Sequence, residues 1–152
     1  MNARTLEQAF GHVEANLDLA DFDGHKPDEL ISIAEDALSL SFPPTYRKFL
    51  SRLGCGDFCG REFYGIINDD FVDSSIPDAI WLTLSERRES RLPDTLILIG
   101  DSGDGGYYAL DCALLIEGEA PVIVWKLGER CGEQVANSFG EYFTQLVFEC
   151  DS

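Results

Sequence analysis

Apolar residues recur at three- and four-residue intervals along several stretches of the chain, and between them lie shorter runs rich in aromatic and β-branched residues. Leu6, Ala9, Phe10, Val13 and Leu17 share one helical face. The preceding Thr5-Leu6-Glu7-Gln8 has the form of a capping box, so a first amphipathic helix begins there. Pro27 opens a second helix whose apolar face is Leu30, Ile33, Ala34, Ala37 and Leu38. After an extended Leu40-Ser41-Phe42, the pair Pro43-Pro44 resets the chain for a short helix from Thr45 to Leu53, stopped by Gly54.

The period then changes. From Phe58 to Ile67 the residue types predict strand pairing, with bends at Gly60 and Gly65. An acidic stretch from Asn68 to Asp73 reads as a solvated loop. Ser75-Ile76-Pro77 leads into a helix carrying Ile80, Trp81, Leu84, Arg87 and Arg88, which ends near Leu92-Pro93. Three strands follow, Thr95 to Gly100, Tyr107 to Asp111 and Pro121 to Lys126. The last helix starts at Ser138-Phe139-Gly140-Glu141, a second capping box, with Phe139, Phe143, Leu146, Val147 and Cys150 on its apolar face. Helices before, between and after neighbouring strands predict an α+β fold, a mainly antiparallel sheet packed with about four to five helices.

Length supports one domain over residues 1–152: a chain of 152 residues, 45% hydrophobic, buries roughly 68–70% of its unfolded surface. No repeat divides it. The first residues have no unbroken apolar core like that of a signal peptide, and no apolar run reaches the ~20 residues of a membrane-spanning helix, so a soluble cytoplasmic protein is expected.

Charge narrows the range of partners. Twenty-eight Asp and Glu stand against eleven Lys and Arg, a formal net charge of −17. Such a surface repels nucleic-acid backbones, whose binding needs Lys and Arg to release counterions. It attracts a basic protein instead, by long-range steering; the simpler reading is that the charge confers solubility.

The run Ile97-Leu98-Ile99-Gly100-Asp101-Ser102-Gly103-Asp104-Gly105-Gly106 is similar to two serine-hydrolase signatures. A serine hydroxyl needs a histidine to take its proton. The chain has only His12 and His25, with no histidine after Ser102 and none on a strand before it. A calcium loop fits no better: the third and fifth ligand positions are Gly103 and Gly105, and the twelfth is Cys112 rather than Glu. The run therefore reads as a glycine-rich hairpin turn in which Asp101 and Asp104 accept from turn amides. Five cysteines, Cys55, Cys59, Cys112, Cys131 and Cys150, are odd in number and follow no export signal, so they read as free thiols. Cys55 and Cys59 could form half of a zinc site, but the second pair of ligands is absent. No metal or cofactor is expected.

Phe42-Pro43-Pro44-Thr45-Tyr46-Arg47-Lys48-Phe49-Leu50, followed by Gly54, resembles the LPxxYxxFL…G opening motif of the SUKH superfamily. Phe63-Tyr64-Gly65-Ile66 is similar to that family's short strand, and Leu98 to Asp101 with Gly105 to Asp111 to its glycine-rich hairpin. Pro121 to Trp125 and Ser138 to Phe143 resemble its closing strand and helix. The ordered combination spans about residues 28 to 149. Leu53-Gly54-Cys55-Gly56 stands where Asn-Gly-Gly is usual, and Ile76 to Leu92 is only loosely alike.

The resemblance implies a SUKH-like α+β domain without catalytic residues, of the kind found in Smi/Knr-type cell-wall regulators and in bacterial immunity proteins that neutralise toxins, often nucleases. Tyr46, Phe49, Leu50, Trp125, Phe139 and Phe143 fall at inward-facing positions and read as core, and Gly54, Gly65 and Gly106 as backbone devices. A partner would then meet exposed carboxylates: Asp69, Asp70 and Asp73 in the acidic loop, Asp101 and Asp104 in the hairpin, and Glu117 with Glu119. Two functions stand side by side, an immunity protein that offers carboxylates in place of phosphates to a basic toxin, and a regulatory or scaffolding module with no toxin partner.

Overall fold

A computed structural model describes residues 4–126 and 132–150. Within them lie five α-helices, α1 (Leu6–Glu14), α2 (Asp28–Leu38), α3 (Pro44–Arg52), α4 (Ala79–Glu89) and α5 (Phe139–Glu149). Seven strands form two antiparallel sheets. The first has the order β1 (Ala20–Phe22), β2 (Gly56–Phe58), β3 (Arg61–Phe63), and the second β4 (Leu96–Asp101), β5 (Tyr107–Asp111), β6 (Val122–Trp125), β7 (Gln134–Ala136). This is the α+β class that the apolar pattern predicts.

Local chemistry sets the helix starts. At α1 the box is complete: Gln8 N donates to Thr5 Oγ1 at 3.1 Å and Thr5 N to Gln8 Oε1 at 2.8 Å. At α5 it is half built, because Glu141 N donates to Ser138 Oγ at 3.0 Å while the Glu141 carboxylate turns back to Asn137. Asp78 caps α4, its Oδ1 accepting from Ile80 N at 2.9 Å and Trp81 N at 3.1 Å.

Several expectations need correction. Helix α1 stops at Glu14, where Asn16 Nδ2 donates to the His12 carbonyl at 2.9 Å, and Leu17 is left 68% exposed in a short 3₁₀ turn. Pro27 is the cap of α2 rather than its first residue, and the buried face is Ile31, Ala34 and Leu38. Ile33, two residues from Ile31, points away and is 48% exposed. Leu40 to Phe42, as expected, continues no helix, and Phe42 N donates to Glu35 Oε2 at 2.6 Å.

Both faces of the second sheet are covered, which explains the unbroken apolar run in β4. Ile97 and Ile99 join a core formed with α1, α2, α3 and α5, where the Phe49 ring lies 5.0 Å from that of Phe139 and 5.4 Å from that of Phe143. Leu96 and Leu98 face the other way, into a second cluster with Tyr64, Ala79, Leu82, Ile123 and Trp125. The outer edge of β4 is satisfied too. Leu98 N donates to Thr83 Oγ1 of α4 at 3.0 Å, and Ile99 O accepts from Tyr64 N at 2.9 Å, tying the two sheets together. Gly54, at φ +75°, ends α3, and its carbonyl passes so close to Gly65 that a Cβ there would lie 1.8 Å away.

The cysteines also differ from expectation. Cys59 and Cys150 form a disulfide with Cα atoms 6.1 Å apart, joining the β2–β3 turn to the end of α5 across 91 residues. Parity in the sequence could not reveal that the fold lays this turn on that helix end. Cys55 and Cys112 are free thiols, each pushed up to about 11 by burial. Cys131 lies outside the described residues.

Candidate functional site

The sequence nominates seven carboxylates as points of partner contact, and the structure divides them between local duties and open surface. In the acidic loop, Asp70 N donates to Asn68 Oδ1 at 2.8 Å. Asp70 Oδ1 in turn accepts from Val72 N at 3.1 Å and Asp73 N at 2.9 Å. Those amides hold the Asp70 carboxyl below its ordinary range. Asp70 therefore shapes the loop, and Asp69 and Asp73 stand exposed on it.

The β4–β5 hairpin is as tightly organised. Gly103 N donates to Asp101 Oδ1 at 2.7 Å, and the Ser102 hydroxyl donates to Asp104 Oδ1 at 2.6 Å. Lys126 Nζ sits 2.9 Å from Asp104 Oδ2. The serine hydroxyl first and the ammonium second draw the Asp104 carboxyl below its ordinary range. Ser102 thus serves the turn. The two imidazoles are placed elsewhere: His12 packs against the rings of Phe58 and Phe148, and His25 Nδ1 lies 2.8 Å from the Ser51 carbonyl.

Glu119 has a different role from the one expected. Its Oε2 accepts from Thr45 N at 3.1 Å and its Oε1 from Thr45 Oγ1 at 2.7 Å. Because Pro43 offers no side-chain cap, this carboxylate from 74 residues away caps α3. Thr45 Oγ1 also accepts from Gly140 N at 2.9 Å, so the starts of α3 and α5 meet at one hydroxyl. Beside them runs a groove of about 660 Å³ lined by Arg4, Leu6, Thr45, Gly140 and Phe148.

One apolar surface feature was not among the residues nominated from the sequence. Between β5 and β6, Leu114, Leu115 and Ile116 are 57%, 53% and 75% exposed. Glu117 and Gly118 follow at φ +53° and +83°, the left-handed pair of a two-residue hairpin turn. Ile116 N donates to Glu119 O at 2.9 Å and Glu119 N to Ile116 O at 3.0 Å, closing it. The available signal was three apolar residues in a row inside a turn-rich segment, away from any strand.

Comparison with protein families adds to this geometry. The SUKH_6 family model, described as SMI1-KNR4 cell-wall, matches residues 28–143. The chain belongs to the SUKH superfamily. In this SUKH chain the match starts with the first residue of α2 and ends within α5, so α1, β1 and Cys150 lie beyond it. The motif residues hold the SUKH core together. Tyr46, Phe49, Leu50, Phe139 and Phe143 are fully buried, and the Tyr46 hydroxyl donates to the Tyr64 carbonyl at 2.8 Å. Among the described residues no three metal-ligating side chains gather at one point, and no helix is long and apolar enough to cross a membrane.

Proposed function

We propose that this SUKH chain is a non-catalytic protein-binding domain, working as one unit over residues 1–152, that neutralises a basic toxin domain in the cytoplasm of the cell that makes it. The observation that carries this reading is the net charge of −17 on a chain of the SUKH family. A cleft that binds phosphates is lined by Lys and Arg, and exposed carboxylates complement it. Asp69, Asp73, Asp101 and Glu117 are the groups available for this role, since Asp104 is paired with Lys126 and Glu119 caps α3.

A second reading is favoured by the description of the matched model, SMI1-KNR4 cell-wall. On that reading the chain is a regulatory interaction module with no toxin partner. The two separate on one experiment, co-expression with the product of the adjacent reading frame followed by titration calorimetry of the purified pair. A stoichiometric complex that abolishes the neighbour's toxicity supports immunity. A neighbour that neither binds nor harms the cell supports the regulatory module.

A further inference from the structure

The hairpin that carries Leu114, Leu115 and Ile116 is built to present apolar side chains rather than to hide them. Each end is anchored. Asp111 Oδ1 accepts from Ala113 N at 3.1 Å, Cys112 N donates to the Thr95 carbonyl at 2.9 Å, and Leu114 N donates to the Asp111 carbonyl at 3.2 Å. On the returning limb, the Ile116–Glu119 bridge closes the turn, and Glu119 is locked to Thr45 by two hydrogen bonds. Gly118 lies against α3, where a Cβ would meet Pro44 Cδ at 3.9 Å. A fixed frame matters energetically, because a side chain already held in place loses little freedom when it docks. Three consecutive large apolar side chains left in water on such a frame are costly unless something covers them.

Charge identifies the cover. Carboxylates flank the apolar tip along the chain, with half-buried Asp111 at its entry and exposed Glu117 in the turn, while the Glu119 carboxylate at its exit is held by Thr45. A second copy of the chain would bring two such acidic flanks together on molecules that each carry −17, so self-association is opposed. An anionic lipid surface is opposed for the same reason.

We infer that the Leu114–Ile116 tip anchors this protein in an apolar pocket of a partner protein whose rim carries Lys and Arg. The partner's pocket takes up Leu115 and Ile116, and its basic rim meets Glu117 and Asp111. The tip is the central, desolvated part of the interface and the carboxylates are its edge, the usual division between residues that set the dissociation rate and residues that set encounter. The assignment deepens the protein-binding reading and does not depend on the partner being a toxin.

The test uses the full chain, isotope-labelled, and two synthetic helical peptides of equal positive charge, one of leucine and lysine and one of alanine and lysine. The leucine–lysine peptide is expected to give saturable amide shifts centred on residues 113–117, and the alanine–lysine peptide only diffuse, non-saturating shifts. Leu115→Ser combined with Ile116→Ser is expected to weaken leucine–lysine binding about tenfold or more, with the melting temperature unchanged because both side chains are exposed. No saturable binding overturns the assignment. So do shifts centred on Asp69 to Asp73 or on the Arg4–Phe148 groove, or a double variant that binds as wild type. Sedimentation of the unlabelled protein covers the remaining occupant: self-association that the double variant loses would make a second copy the cover. Failure of a neighbouring toxin to bind would remove the immunity reading without moving any of these results.

Discussion

Asp78 holds a carboxyl group at a position with no solvent exposure. Ser74 Oγ donates to it at 2.8 Å, and Ile80 and Trp81 donate their amides, yet burial outweighs these bonds and raises its pKa above the ordinary 3.8. The folded protein therefore holds this proton more tightly than the unfolded chain. Its stabilising contribution is present below the ordinary carboxylate range and is lost as pH rises through that range toward the raised value. Asp78→Asn keeps an oxygen to accept from the two amides but does not titrate. The stability of the variant relative to wild type should accordingly rise with pH, as read by urea unfolding at a series of values from about 3 to about 6. A difference that stays flat, or moves in favour of wild type as pH rises, contradicts the assignment. At this scale the sequence displays residue types and hides their partners. Asp101 was legible as a turn carboxylate because its acceptor bond reaches only two residues away, whereas Asp104 takes the Ser102 hydroxyl in place of the expected amide, and Asp70, read only as a solvated charge, shapes its loop. The role of Glu119 was not, because Thr45 comes to it only through the fold.

Strand β6 presents Trp125 to the second core cluster at 4% exposure, among Tyr64, Leu82, Leu98 and Ile123. Trp125→Ala should cost about 3–5 kcal/mol, measured as a lowered midpoint of urea unfolding, and an unchanged midpoint would contradict its place in the core. Elements with a strong period and explicit ends were readable in advance, with Thr5 and Ser138 marking helix starts and Gly54 the end of α3. Strands β1 and β7 are three residues each, too short for alternation to register, and β1 exists because Ala20 and Phe22 pair with Phe58 and Gly56. Helix α2 was found but rotated. Leu30, Ile31, Ile33, Ala34, Ala37 and Leu38 offer apolar residues around most of its circumference, and contact with α3 and α4 selects Ile31 over Ile33.

For the molecule as a whole, the Cys59–Cys150 bond ties the β2–β3 turn to the far end of α5. Closing a loop of 91 residues should stabilise the oxidised protein by about 2–5 kcal/mol, seen as a melting temperature that falls on adding reductant. Equal melting with and without reductant, on protein shown by mass to be oxidised, would contradict that contribution. The same bond bears on location, since a reducing cytoplasm keeps thiols open. Protein taken directly from the cell should show five free thiols if the cytoplasmic proposal holds and three if the pair is oxidised in place. The proposed recognition of a basic protein by the acidic SUKH surface is tested by association kinetics with the adjacent gene's product across a salt series. The association rate should fall steeply from low salt to physiological ionic strength, where screening limits steering to about 8 Å, with dissociation changing much less. An association rate that stays flat over that series would contradict it.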